Sequence, residues 1–212
     1  LHVFDFRINN NFKVINYNYR STGNISKAQI NLKNNFKNKF IKNQVKKILF
    51  KKTKLEIILN NQKKNSILFD GFYSLDKLNY KKIKVKNNLN KKNQNYFIDL
   101  NLTENIFLDL INFQTNSKKN SNIKAEYKVK NKKFIFKSID FTEDKNIISV
   151  KGLVLNSKNE IEKISSIKIL TFYKNKENNN FVINFGKKIS IIGKKYDSSN
   201  LLKLLSEPSK SN

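Results

Sequence analysis

The side chains best placed for acid–base chemistry in this chain are two close pairs of carboxylates, Glu143-Asp144 and Glu160/Glu162. Both pairs stand in Lys- and Asn-rich stretches that read as turns, where charges are solvated. His2 is the single histidine, and there is no cysteine, methionine or tryptophan. That excludes a disulfide framework, a thiolate zinc site, a cysteine nucleophile and an imidazole metal cluster. A Ser-His-Asp triad would have to use His2. There is no Gly-rich phosphate loop, no G-x-S-x-G and no H-E-x-x-H. The sequence therefore reads as a non-enzyme, with no catalytic residue, metal or cofactor.

Charge is the next candidate. The 212 residues carry a formal net charge of +27, from 43 Lys+Arg against 16 Asp+Glu. Only Arg7 and Arg20 are arginines, whereas Lys, Asn and Ile together make up 104 of the 212 residues. All three have AT-rich codons, so an AT-rich genome produces this bias without selection for a basic surface. Nucleic-acid binders favour arginine, whose planar fork fits phosphates and guanine edges. The charge is discounted as a functional signal, and no specific nucleic acid is expected as a partner.

The elements that would position any site are strands. Phe4, Phe6 and Ile8 alternate with Asp5 and Arg7; Ala28, Ile30 and Leu32 alternate with Gln29 and Asn31. Ile123, Ala125, Tyr127 and Val129 alternate with Lys124, Glu126 and Lys128, and Phe181, Ile183 and Phe185, then Ile189 and Ile191, keep the period. Period two with one polar face is the mark of an antiparallel sheet wetted on one side. Asn87-Asn88, 116–120, 156–159 and 175–180 read as turns. The expectation is an all-β, mainly antiparallel fold. No apolar run exceeds three residues, so no membrane-spanning helix or signal peptide is expected. The start at Leu1, in what reads as mid-strand, is expected of a piece of a longer protein.

Two segments depart from the alternation. Phe36, Phe40, Ile41, Val45, Ile48 and Leu49 have helical spacing, which leaves a basic helix or a hairpin open within 33–52. Asp197 or Ser198 can cap a short helix carrying Leu201, Leu202, Leu204 and Leu205, stopped by Pro208. A weak echo relates Ile67–Leu75 to Ile148–Leu155, each a strand reaching a glycine and then a second strand, which suggests a repeated sheet unit. The expected organisation is 1–60 as the N-terminal part of the sheet, 61–207 as a β-repeat region ending in the short helix, and 208–212 as a tail.

The apolar face admits two readings. It is either the core of a closed sandwich or an open apolar trough along a curled sheet, which could hold acyl chains at about 0.8 kcal/mol per buried methylene. Alternation alone allows both.

Four stretches carry a resemblance: Ser66–Leu75; Phe97–Leu102 with Ile106-Phe107-Leu108; Ile147–Leu155 with Ile161–Leu170; and Phe181–Phe185 running to Ile192-Gly193-Lys194-Lys195-Tyr196-Asp197 and the paired Leu201-Leu202. Over about 60–207 the chain resembles the AsmA-like repeat region of the AsmA, TamB and YhdP group of bacterial envelope proteins. It is poorer in Gly, Ala and Arg than that group. The resemblance implies an elongated sheet curled lengthwise around an apolar trough, projecting through the periplasm from an inner-membrane tether that is not in this chain. It implies phospholipid acyl chains as the partner, with the inner and outer membranes reached by other parts of the protein. No catalytic residue follows from it, only a lining. On face assignment that lining is Ile123, Ala125, Tyr127, Val129, Phe134, Phe136, Ile148, Val150, Phe181, Ile183, Phe185, Ile189 and Ile191. Two alternatives stand beside this expectation: a basic nucleic-acid or ribosome-associated protein, and a structural β-repeat surface protein with a fully packed core.

Overall fold

A computed structural model describes residues 1–38, 41–61, 65–75, 79–89, 94–116 and 118–200, excepting the side chains of 34–38 and 41–43. The strands are β1 (His2–Ile8), β2 (Val14–Asn38), β3 (Ile41–Asn60), β4 (Asn65–Ser74), β5 (Lys81–Leu89), β6 (Gln94–Asn101), β7 (Phe107–Leu108) and β8 (Phe113–Gln114). They continue as β9 (Ser121–Lys130), β10 (Lys133–Glu143), β11 (Asn146–Lys151), β12 (Val154–Leu155), β13 (Ile161–Lys163), β14 (Ser166–Tyr173), β15 (Lys176–Phe185) and β16 (Ile189–Lys195). One short 3-10 turn, Asp109–Ile111, lies between β7 and β8.

Nearly all of the strands form one antiparallel sheet in the order β1-β2-β3-β4-β5-β6-β9-β10-β11-β14-β15-β16. Neighbours in the sheet follow chain order, with β7-β8 and β12-β13 as excursions from it, so the fold is a meander. The pairing runs unbroken from β3 to β4, across the expected boundary at residue 60. β12 and β13 form a small side hairpin against β10. β7 and β8 pair only with each other.

The register explains why a meander forms. One row crosses ten strands as Leu55, Phe69, Val85, Ile98, Ala125, Ile139, Val150, Ile167, Ile183 and Ile191, each the partner of the next. The opposite face answers with charge. Lys54, Asp70, Lys84, Asp99, Lys124 and Asp140 alternate in sign from strand to strand. Lys84 reaches Asp70 at 3.7 Å and Lys124 reaches Asp99 at 3.8 Å. Each exposed pair is worth well under about 1 kcal/mol. A one-residue slip would misplace all of them at once and turn the apolar row to solvent, so together they hold the register.

The sheet is one layer deep over much of its area. The chain exposes 15726 Å², against roughly 10,000 Å² for a compact monomer of its mass. The buried apolar cluster is Ile111, Phe113, Phe141, Ile169 and Phe181. It forms where the excursion 102–116, a flap from here on, folds back over one end of the apolar face.

Several expectations need correction. The sheet has no strong curl, so its apolar face is an open surface and not a trough. The register shifts at Lys51/Lys54 and Asn180/Phe181 fall at the two ends of one row, from Gly71 to Phe181, and that at Phe136/Ser138 falls on another. The described residues of 33–52 belong to the paired strands β2 and β3, with Phe36 opposite Val45, so of the two readings left open for this segment they fit the strands and not the helix. Lys52, at φ 47°, marks the bulge that keeps Phe50 on the same face as Leu55. The Phe50 ring meets Phe69 at 5.2 Å. Asn87 and Asn88 lie inside β5, not in a turn, and Asn178 to Asn180 lie inside β15.

The glycine echo has no structural counterpart. Gly71 sits mid-strand against Thr53, whereas Gly152, at φ +62°, turns the chain out of β11. The expected helix through Leu201, Leu202, Leu204 and Leu205, and the tail 208–212, lie outside the described residues.

Candidate functional site

The flap makes a built feature on the apolar face. It leaves β6 at Leu102, whose N–H donates to the Ser121 carbonyl at 2.8 Å. Ile106 and Thr115 close its neck. The Thr115 N–H donates to the Ile106 carbonyl, and the Ile106 N–H to Thr115 Oγ1 at 2.8 Å. Glu143 anchors this end from β10. Its carboxylate accepts from the Asn116 N–H and from the Ser121 hydroxyl and is only 2 % exposed. The sequence reading of Glu143 as a solvated turn charge is thereby corrected. Its neighbour Asp144 does stay exposed, paired with Lys119 at 2.6 Å.

The flap tip is held by four residues beyond it in sequence, of which Asn200 donates its Nδ2 to the Asp109 carbonyl and to Asn112 Oδ1. Asn179 on β15 is fully enclosed. Its Nδ2 donates to the Ile111 carbonyl and to Thr171 Oγ1, both at 2.8 Å, and its Oδ1 accepts from the Asp197 N–H at 2.8 Å. Tyr196 donates its hydroxyl to the Leu110 carbonyl at 3.0 Å. Asp197 accepts from the Ser199 hydroxyl and N–H and from Asn112 Nδ2. These bonds hold its carboxyl down at about 2, the Ser199 hydroxyl contributing most.

The sign of that shift makes a prediction. Asp197 favours the folded clamp as a carboxylate, so its contribution is present above its ordinary value near 3.8 and is lost as pH falls towards 2. The Asn112 and Ser199 NMR signals are expected to hold steady from pH 7 to 5 and to shift together between about 4 and 2. In Asp197→Asn they should show no such transition. An unchanged transition in that variant would disprove the assignment.

Between the flap tip and the β15–β16 edge runs a groove of about 530 Å³. Ile169, Phe181 and Ile183 form its floor, Leu110 and Ile111 one wall, and Ile191 and Tyr196 the other. Lys194 and Lys195 stand at its rim. Gly193 lets β16 approach closely, since a Cβ there would collide with Phe181 and the Asn180 carbonyl. The volume falls in the range of small-ligand sites, and the lining is apolar with charge at one rim.

All thirteen side chains expected to line an apolar face project from the same side of the sheet. Their surroundings differ. Phe181, Ile183 and Ile191 reach the groove. Ile123 and Ile148 pack under the flap against the buried cluster. Ala125 and Val150 lie in the central apolar row. Tyr127 joins Phe134 and Phe136 in an aromatic patch, and its ring stacks on Tyr96 at 4.8 Å. Burial chiefly raises the Tyr127 hydroxyl above its ordinary value. Val129, Phe185 and Ile189 lie outside the groove, and Ile189 is freely exposed.

Sequence reasoning missed Leu110, Ile111, Asn179, Lys194, Lys195 and Tyr196. The flap residues lack period two, and Asn179 was hidden in a run of asparagines. Among the described residues no group of His, Asp or Glu side chains is clustered to hold a metal, and no helix is long and apolar enough to cross a membrane. No family model matches the chain, and no curated protein or solved structure shows a significant match.

Proposed function

We propose that the open apolar face, with the flap groove at one end, binds lipid acyl chains, and that the chain is a non-enzymatic segment of an AsmA-like envelope protein that moves phospholipid. The observation that carries this reading is the apolar row across ten strands, to which the described residues add no second layer away from the flap. An apolar strip of that length, most of it only half-buried, is unusual on a soluble surface and marks a site of contact with apolar matter. A flat face serves this role as a slide along which chains lie side by side, and the groove offers one enclosed place on it. In this reading the protein works in the periplasm between the two membranes.

The test is lipid-extraction mass spectrometry on protein purified without detergent. Ile183→Asp puts a charge on the groove floor, whereas Val182→Asp puts the same charge on the opposite face of the same strand. Phospholipid is expected with the native chain and with Val182→Asp, and at least about tenfold less with Ile183→Asp. Absence of lipid from the native protein, or equal loss in both variants, would overturn the proposal.

One observation favours a second reading. Residues 21–55, most of the β2–β3 hairpin, hold ten lysines and no acidic residue. That projecting basic arm suits a nucleic-acid contact. Binding that prefers one sequence or structure of RNA or DNA would support it, since charge alone gives only unspecific, salt-sensitive binding.

A further inference from the structure

We propose that β1 is the seam of a symmetric homodimer, in which β1 of a second copy adds antiparallel to β1 and continues the sheet. The proposal does not depend on the lipid reading.

Among the described residues β1 pairs with β2 alone and forms one edge of the sheet. Its inner hydrogen bonds to β2 can be phased from the end of the ladder, where Leu1 and Thr22 exchange both N–H···O bonds at 2.9 Å. In an antiparallel pair such residues alternate, so Val3 and Asp5 also bond inward and His2, Phe4 and Phe6 turn their N–H and C=O outward. Edge strands of monomers are normally blunted by lysine, proline or a bulge. β1 has neither lysine nor proline, in a chain with 43 Lys+Arg, and the one register shift in its pairing with β2 falls at its end, between Arg7 and Ile8. Phe4 and Phe6 stack at 5.3 Å yet remain 59 % and 52 % exposed.

The charges on β1 are self-complementary. Among the described residues neither Asp5 nor Arg7 has an ion-pair partner, although Arg20 on β2 pairs with Glu56. A two-fold axis at Phe6, normal to the sheet, sets Phe4 opposite Ile8 of the second copy and Asp5 opposite its Arg7. Phe6 then falls in a hydrogen-bonded pair, as its outward backbone requires. Asp5 and Arg7 fall in the non-bonded pairs, where opposing side chains come closest. Residues so paired share parity, so the apolar faces of both copies lie on the same side and form one surface. The far edge, β16, carries Lys194 and Lys195 within it and Lys187 and Lys188 beside it, the lysine blunting expected of an edge strand.

The experiment is sedimentation velocity on the full chain over a concentration series, with Asp5→Arg, Arg7→Asp and the double reversal. The native chain is expected to dimerise. Each single reversal sets like charges opposite one another in both symmetric pairs and should weaken the dimer about tenfold or more. The double reversal restores both pairs and should bring the affinity back. A native chain that stays monomeric throughout, a dimer indifferent to the single reversals, or a double reversal as weak as the singles would each overturn the proposal. Circular dichroism on every variant separates loss of pairing from loss of fold.

Discussion

Asn179→Leu is expected to release the flap and to cost roughly 3–5 kcal/mol, a large part of a typical domain's stability. Leucine keeps the branched outline of asparagine but is bulkier, so in this enclosed site overpacking adds to the loss of the hydrogen bonds. Asn179 is wholly enclosed and makes three bonds of 2.8 Å that no water can replace. With leucine, the Ile111 carbonyl and the Thr171 hydroxyl lose their donor inside a closed space, and each such loss costs about 1–3 kcal/mol. The Asp197 N–H loses its acceptor as well, which frees the segment that carries Tyr196 onto Leu110. The neighbouring Asn180 is the control. It is half-buried and its side chain, among the described residues, bonds Glu177 at 3.0 Å, so Asn180→Leu should cost less than about 1 kcal/mol. Urea unfolding gives the stabilities, and hydrogen exchange at Ile111 to Phe113 reports the flap itself. Equal effects of the two substitutions would mean that Asn179 does not hold the flap.

Asn179 also shows where sequence reasoning stops. Period two placed Ile123, Ala125, Phe181 and Ile183 on one face because each strand there has one apolar and one wetted side. A lone polar residue under a flap breaks that pattern without announcing itself. Asn175 to Asn180 reads as turn chemistry throughout, yet only Lys174 and Asn175, at φ 49° and 64°, make the turn, and the rest continue the strand. Glu143 was misread for the same reason: its burial depends on the flap neck some 27 residues earlier. The flap residues carry no periodicity because the 3-10 turn and the two-residue strands are too short to have one. The absence of curl was equally illegible, since a flat and a curled sheet need the same alternation and differ only in where the bulges fall.

Two phenylalanines on the same face separate an open layer from a closed core. Phe141 lies beneath the flap, is 8 % exposed and meets Phe113 edge-on at 5.7 Å. Phe69 belongs to the open part of the face, with Phe50 as its ring neighbour. Removing a buried phenyl ring costs its transfer free energy and leaves a cavity, so Phe141→Ala should destabilise by about 3–5 kcal/mol. At Phe69 water already reaches the ring, and the gap left by alanine opens to solvent. That substitution loses only part of the transfer term, roughly 1–2 kcal/mol. Equilibrium unfolding of the two variants measures the difference directly. A closed sandwich would make both rings core and both losses large. Similar losses would therefore mean that a second layer covers Phe69 in solution, and the open face on which acyl-chain binding depends would not exist there. A gap of about 2 kcal/mol or more is the result expected of a sheet that buries one end of its apolar face and leaves the rest for something else to cover.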